Sequence, residues 1–100
     1  MPLHYRKRNS KPRLGITRIM IMYEVYGTKG CRFCIEAARL LDRRDLDYIY
    51  TDISLLTDYD KEKLQKTAGK TFVSVPQIFR TTEEGSKYIG GYTELLEDFK

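Results

Sequence analysis

Only two of the 100 residues are cysteine and one is histidine. No apolar run approaches the roughly 20 residues needed to cross a bilayer, so no membrane partner is expected. Two cysteines are too few for the disulfide framework that staples small secreted domains. The apolar run Ile19 to Met22 is too short for a secretory signal, and a reducing cytoplasm is the expected compartment. Structural zinc takes four Cys or His ligands. Beyond the cysteines this chain offers His4 alone, distant in a polar segment, so no metal is expected. Repeats and low-complexity segments are absent beyond that segment, and the length fits one domain with a modest core.

The net charge of +4 is unevenly spread. Residues 1–18 hold six Lys or Arg and no acid, whereas the remainder holds twelve basic and fourteen acidic residues. The basicity therefore belongs to a tail. With Arg6-Lys-Arg8, Pro12 and Gly15 and neither helical nor strand periodicity, residues 1–18 read as a basic disordered appendage to a domain at 19–100. Such a tail can touch phosphates, but no specific nucleic acid is expected for the folded part. Met20 and Met22 stand just ahead of the first strand and are alternative starts of translation.

The informative stretch is Tyr26-Gly-Thr-Lys-Gly-Cys31-Arg-Phe-Cys34. Before it, Ile19 to Tyr26 is rich in β-branched and aromatic residues and ends at a glycine turn, as a buried strand does. After it, Phe33, Ala37, Leu40 and Leu41 recur at helical spacing, opposite Arg32, Glu36, Arg39 and Arg43. Cys31 thus lies where a strand becomes a helix. The first helical turn has unpaired N–H groups and the positive end of the macrodipole, which stabilise an anion. A thiolate is such an anion, and this setting lowers a cysteine pKa from about 8.5 toward roughly 3.5–7.5, more so beside cations such as Lys29 and Arg32. Cys31 reads as the nucleophile, and Cys34, one turn deeper on the same side, as the resolving thiol. The alternative from the residues alone is that both are inert packing groups.

Downstream, Asp47 to Ile53 reads as a second strand, completing a strand–helix–strand unit with parallel strands. Asp58 is placed as the cap of a helix over Tyr59 to Ala68, with Gly69 at its stop and Lys61, Lys63, Lys66 and Lys70 on a solvated face. Pro76 opens a third strand, Gln77 to Arg80. A turn over Thr81 to Ser86 leads to a short fourth strand, Lys87 to Ile89. Gly90-Gly91 then precede Thr93, placed as the cap of a last helix over Glu94 to Phe99.

Three landmarks occur in order: Cys31-Arg-Phe-Cys34 after a strand, Ser74-Val-Pro76-Gln-Ile-Phe79, and Gly90-Gly-Tyr-Thr-Glu-Leu95. Together they resemble the glutaredoxin family, over roughly residues 20 to 100, and in particular the small dithiol members of bacteria and phages. The resemblance implies an α/β, thioredoxin-like fold: a four-stranded mixed sheet ordered second, first, third, fourth, flanked by three helices. It implies a cis Val75-Pro76 bond facing Cys31, with the Val75 backbone pairing with the cysteine of glutathione. It also implies that Tyr92, Thr93 and Glu94, behind Gly91, hold the γ-glutamyl end with its carboxylate at the helix start. Phe33 and Tyr26 would border the thiol, and Lys29 is the nearest substitute for the basic residue that relatives carry at the position of Thr28. Arg32 and Phe33 replace the common Pro-Tyr pair, and Glu94 replaces the usual Asp.

The function implied is thiol–disulfide exchange with glutathione as co-substrate, serving electron transport and cell redox homeostasis. Disulfide-bearing or glutathionylated proteins would be the clients, ribonucleotide reductase among them, and the protein would act as a monomer. Two alternatives stand beside it. One is a thioredoxin-like reductant recharged by a reductase. The other is an iron–sulfur carrier in which Cys31 and glutathione of two chains hold a cluster.

Overall fold

The computed structural model describes the segment His4–Lys7 and residues 21–100. Strand β2, Met22–Gly27, alternates half-buried and buried side chains, so Tyr23, Val25 and Gly27 point to one face of the sheet and Glu24 and Tyr26 to the other. Helix α1, Arg32–Arg43, lays Cys34, Ala37, Leu40 and Leu41 onto the first face. Phe33, expected on that stripe, is instead exposed, because the buried arc begins at Cys34. Strand β3, Tyr48–Asp52, runs parallel to β2 with Tyr23 opposite Tyr48. A 3-10 turn, Ile53–Leu55, leads to α2, Asp58–Ala68. Strand β4, Gln77–Thr82, pairs antiparallel with β2, and β5, Gly85–Gly90, pairs antiparallel with β4 across the turn at Glu83 and Glu84. Helix α3, Tyr92–Asp98, closes the chain.

The expected four strands are present in the expected order, with three helices, and a fifth strand joins them. Strand β1, His4–Lys7, pairs antiparallel with β3 and gives the order β1-β3-β2-β4-β5. This strand falls inside the segment read as a structureless tail. An edge strand presents unpaired N–H and C=O groups to any chain that reaches it, so backbone pairing with β3 makes a strand that periodicity did not announce. The rest of that segment, with the expected strand start at Ile19 and Met20, lies outside the described residues.

Two helix starts also differ from expectation. The cap of α2 is Thr57 and not Asp58: the Thr57 hydroxyl accepts from the Asp60 N–H at 3.1 Å, and the Asp60 carboxylate accepts from the Thr57 N–H at 3.3 Å. Reciprocal bonding satisfies two free donors, which a lone Asp58 cap would not. Gly69, with φ +75°, ends the helix as expected. Helix α3 starts two residues early, with Gly91 as its cap in place of Thr93, because the Glu94 carboxylate folds back onto the Gly91 N–H.

One face of the sheet carries the main core, in which Val25, Ala37, Leu41, Ile78 and Leu95 are fully buried beside the buried Tyr23 and Tyr48. Arg80 and Asp98 bond at 2.7 Å and tie α3 to β4. The other face is aromatic: Tyr26, Phe72 and Tyr88 surround Phe79 with ring centroids 5.3–6.3 Å apart. Helix α2, on that side, has no fully buried residue.

Candidate active site

Cys31 is the N-cap of α1, in extended conformation, and its Sγ accepts from the Cys34 N–H at 3.2 Å. This is the bond of a capping side chain, made here by sulfur. The two cysteines are joined as a disulfide with Cα atoms 5.2 Å apart. Cys31 is half-buried, whereas Cys34 is fully buried. An incoming sulfur therefore meets Cys31 first, and a negative charge on Cys31 is stabilised by the N–H that already points at it.

Gly27 makes this packing possible. A Cβ there would lie 2.6 Å from both the Cys34 Sγ and the Tyr50 hydroxyl oxygen. The Tyr50 hydroxyl donates to the Thr28 carbonyl at 2.9 Å, pinning the loop that precedes Cys31 to β3. Burial first, then the nearby Asp52 charge, raises the Tyr50 pKa and keeps the phenol protonated. Asp52 is held below the usual carboxylate range by the N–H and hydroxyl of Ser54, with the Lys29 charge helping.

Facing Cys31 is the Val75-Pro76 peptide, which is cis, as the family resemblance implied. The Val75 carbonyl oxygen lies 4.0 Å from the Cys31 Sγ. Beneath it, the buried Gln77 donates to the Ser74 carbonyl at 2.8 Å and accepts from the Tyr88 hydroxyl. These bonds brace the loop from inside. A shallow cavity of ≈ 160 Å³ opens beside the disulfide. Phe33 supplies one wall, Val75 and Pro76 the next, and Gly91, Tyr92, Thr93 and Glu94 the third. The Phe33 and Tyr92 rings stack with centroids 6.0 Å apart.

Of the positions singled out from the sequence for glutathione, all but Lys29 line this cavity. Lys29 is exposed on the loop before Cys31, where its charge acts on Asp52. Tyr26, expected beside the thiol, belongs to the aromatic face: its hydroxyl donates to Glu24 at 2.9 Å and its ring packs on Phe79. Strand alternation dictates this, since Gly27 takes the α1 side. Burial, and next the Glu24 charge, push the Tyr26 pKa well above that of a free phenol. On the outer face of α1, Glu36 pairs with Arg39 at 3.8 Å. Ser74, quoted from the sequence only as part of a motif, lines the cavity as well. Among the described residues, no helix is long and apolar enough to cross a membrane, and no three metal-ligating side chains converge.

A family model, Glutaredoxin, matches residues 23–83. The chain belongs to the glutaredoxin family. It is 39% identical over 76 residues to glutaredoxin 1 of Escherichia coli strain K12, an alignment covering 71% of this chain and 84% of that protein. The solved structure of reduced Escherichia coli glutaredoxin superposes with a TM-score of 0.54 at 36% identity, covering 76% of this chain and 89% of that one. A buckwheat glutaredoxin solved in complex with glutathione shares the fold, with a TM-score of 0.58 at 22% identity, over 81% of this chain and 68% of that one. The fold of this glutaredoxin is thus thioredoxin-like, and its paired cysteines fit a thiol–disulfide oxidoreductase.

Proposed function

We propose that this glutaredoxin reduces protein disulfides and protein–glutathione mixed disulfides with glutathione as electron donor. The observation that carries the reading is the cavity beside Cys31, walled by Phe33, the cis Val75-Pro76 loop and the start of α3. Glutathione bound to the same fold in the buckwheat protein supports it. The residues of this machinery fall between Lys29 and Glu94, and β1 joins the same sheet at the edge beyond β3.

With a glutathionylated client, the Cys31 thiolate attacks the glutathione sulfur. A Cys31–glutathione disulfide forms, and the client leaves as a thiolate that takes a proton from water. A second glutathione thiolate attacks the bound glutathione sulfur, releasing oxidised glutathione and regenerating the Cys31 thiolate. With a protein disulfide, Cys31 bonds one client sulfur and expels the other. Cys34, after losing its proton, attacks the Cys31 Sγ, frees the client and leaves the Cys31–Cys34 disulfide. Two glutathiones reduce that bond and depart joined. The chemistry is sulfur's own; the protein supplies a stabilised leaving thiolate at Cys31 and holds the partner sulfur in line. A cytoplasmic monomer serving ribonucleotide reductase among other clients fits this reading.

The test is turnover of a glutathione mixed disulfide, coupled to glutathione reductase, in wild type, Cys31→Ser and Cys34→Ser. Activity lost in Cys31→Ser and kept in Cys34→Ser is expected. No wild-type activity, with reduction of Cys31–Cys34 by a thioredoxin reductase, would replace this reading with a thioredoxin-like reductant.

A further inference from the structure

The two cysteines are served unequally by their surroundings. The Cys31 Sγ caps α1 and accepts from the Cys34 N–H at 3.2 Å. Cys34 is fully buried, and its own N–H is spent on its partner. Burial in apolar surroundings holds a thiol in its protonated form. Yet only the thiolate of Cys34 attacks the Cys31 sulfur when a client is to be released.

A polar side-chain atom reaches Cys34 through the absence of another side chain. Gly27, at the end of β2, leaves a space that a Cβ would fill. Two atoms border it, the Cys34 Sγ from α1 and the Tyr50 hydroxyl oxygen from β3, each 2.6 Å from the point where that Cβ would stand. Sulfur and phenol are therefore neighbours across a glycine. In the disulfide form the Tyr50 proton is directed to the Thr28 carbonyl at 2.9 Å. A hydroxyl proton rotates to suit its acceptors, so it changes partner while the ring stays in place. The ring is held by the core cluster that contains Val25, Ala37 and Leu41. Burial, and next the Asp52 charge, keep the phenol protonated and hence a donor.

We infer that Tyr50 is the hydrogen-bond donor that stabilises the Cys34 thiolate in the resolving step. The inference rests on the resolving role given to Cys34 above. While a client is bonded to Cys31, Cys34 is a free thiol. Its proton passes to water, the Tyr50 hydroxyl turns from the Thr28 carbonyl to the sulfur, and the thiolate attacks the Cys31 Sγ. The Cys34–Cys31 bond forms as the Cys31–client bond breaks; the client sulfur leaves with the electron pair and takes a proton from water. Once the disulfide has closed, Cys34 is no longer an anion, and the hydroxyl is back on Thr28, where the structure shows it. Backbone thus serves the attacking thiolate, and a side chain the resolving one.

The test mixes the reduced protein with an excess of an aromatic disulfide that releases coloured thionitrobenzoate. In the wild type a first release reports the attack of Cys31 on the reagent, and a second reports the displacement of thionitrobenzoate from Cys31 by Cys34. Tyr50→Phe keeps the ring and removes the donor. Losing a hydrogen bond to a charged group is expected to raise the Cys34 pKa by about one pH unit. The thiolate fraction then falls about tenfold, and the more basic thiolate that remains is about threefold more nucleophilic. The second release should therefore slow about threefold more than the first. Unpinning of Thr28 burdens both releases, so their ratio reports on the sulfur. The Cys34 pKa is read directly from the carbon NMR shift of its Cβ across pH, in Cys31→Ser and in the same variant carrying Tyr50→Phe. A Cys34 pKa that does not move, or two releases that slow alike, overturns the inference and leaves Tyr50 a pin for the loop. A wild type without a second release overturns the resolving role of Cys34 and the inference with it.

Discussion

The two faces of the sheet divide the labour of this molecule. The face under α1 and α3 is the closely packed one, with Val25, Ala37, Leu41, Ile78 and Leu95 fully buried, Tyr23 and Tyr48 buried among them, and the buried Cys34 rooted in it. The face toward α2 is aromatic and partly polar, with Tyr26, Phe79 and Tyr88 in ring contact and Gln77 bonded beneath the cis-proline loop. The first fixes the cysteines in space, as exchange between three sulfurs requires. The second supports the loop and the cavity through which a partner is recognised. Close packing transmits the cost of a lost methylene, whereas a helix without a fully buried residue has little to transmit. Stability and recognition are therefore expected to separate by face.

The largest expected effect sharpens that contrast. Leu41→Ala removes a fully buried side chain of α1 and is expected to cost about 2–5 kcal/mol. Leu64→Ala, on the half-buried side of α2, is expected to cost clearly less. Urea denaturation of the two variants measures both, and equal losses would break the division. An intermediate effect is expected at Gly27→Ala. The added methyl meets the Cys34 Sγ and the Tyr50 hydroxyl at 2.6 Å, so one must move, at about 1–3 kcal/mol. Because it displaces the resolving cysteine, protein-disulfide reduction should slow more than turnover of a glutathione mixed disulfide. Equal slowing would show that Gly27 serves stability alone.

The smallest effect concerns pH and the aromatic face. The Tyr26 pKa is raised in the folded state, by burial and then by Glu24. The unfolded chain then releases this proton at lower pH than the folded one. The contribution is fully present below the unfolded pKa near 10 and is lost as pH rises through the folded value. Urea midpoints should fall between pH 9 and pH 11, and the fall should be shallower in Tyr26→Phe. An identical slope would mean that Tyr26 is not the group responsible.

Much of this division is legible in the sequence, and the exceptions share a cause. Alternation in Met22 to Gly27 and the helical spacing from Cys34 to Leu41 are local patterns, and local pairing realises them. The redox pair is legible because two cysteines three apart at a helix start can meet without long-range help. The cis geometry at Val75-Pro76 came from resemblance, since local preference puts it near 5–6%. Strand β1 depends on the edge of β3, which no window around His4 contains. The cap of α3 shifts because the Glu94 carboxylate folds back onto the Gly91 N–H in the space left at Gly90.

The most direct measurement is an amide NMR map of Cys34→Ser trapped as the Cys31–glutathione mixed disulfide, against the same variant reduced. Shifts concentrated at Val75, Gly91, Tyr92, Thr93 and Glu94, with the core under α1 unmoved, are expected. An adduct that perturbs only the residues around Cys31, leaving the loop and α3 silent, would contradict a glutathione site in this cavity.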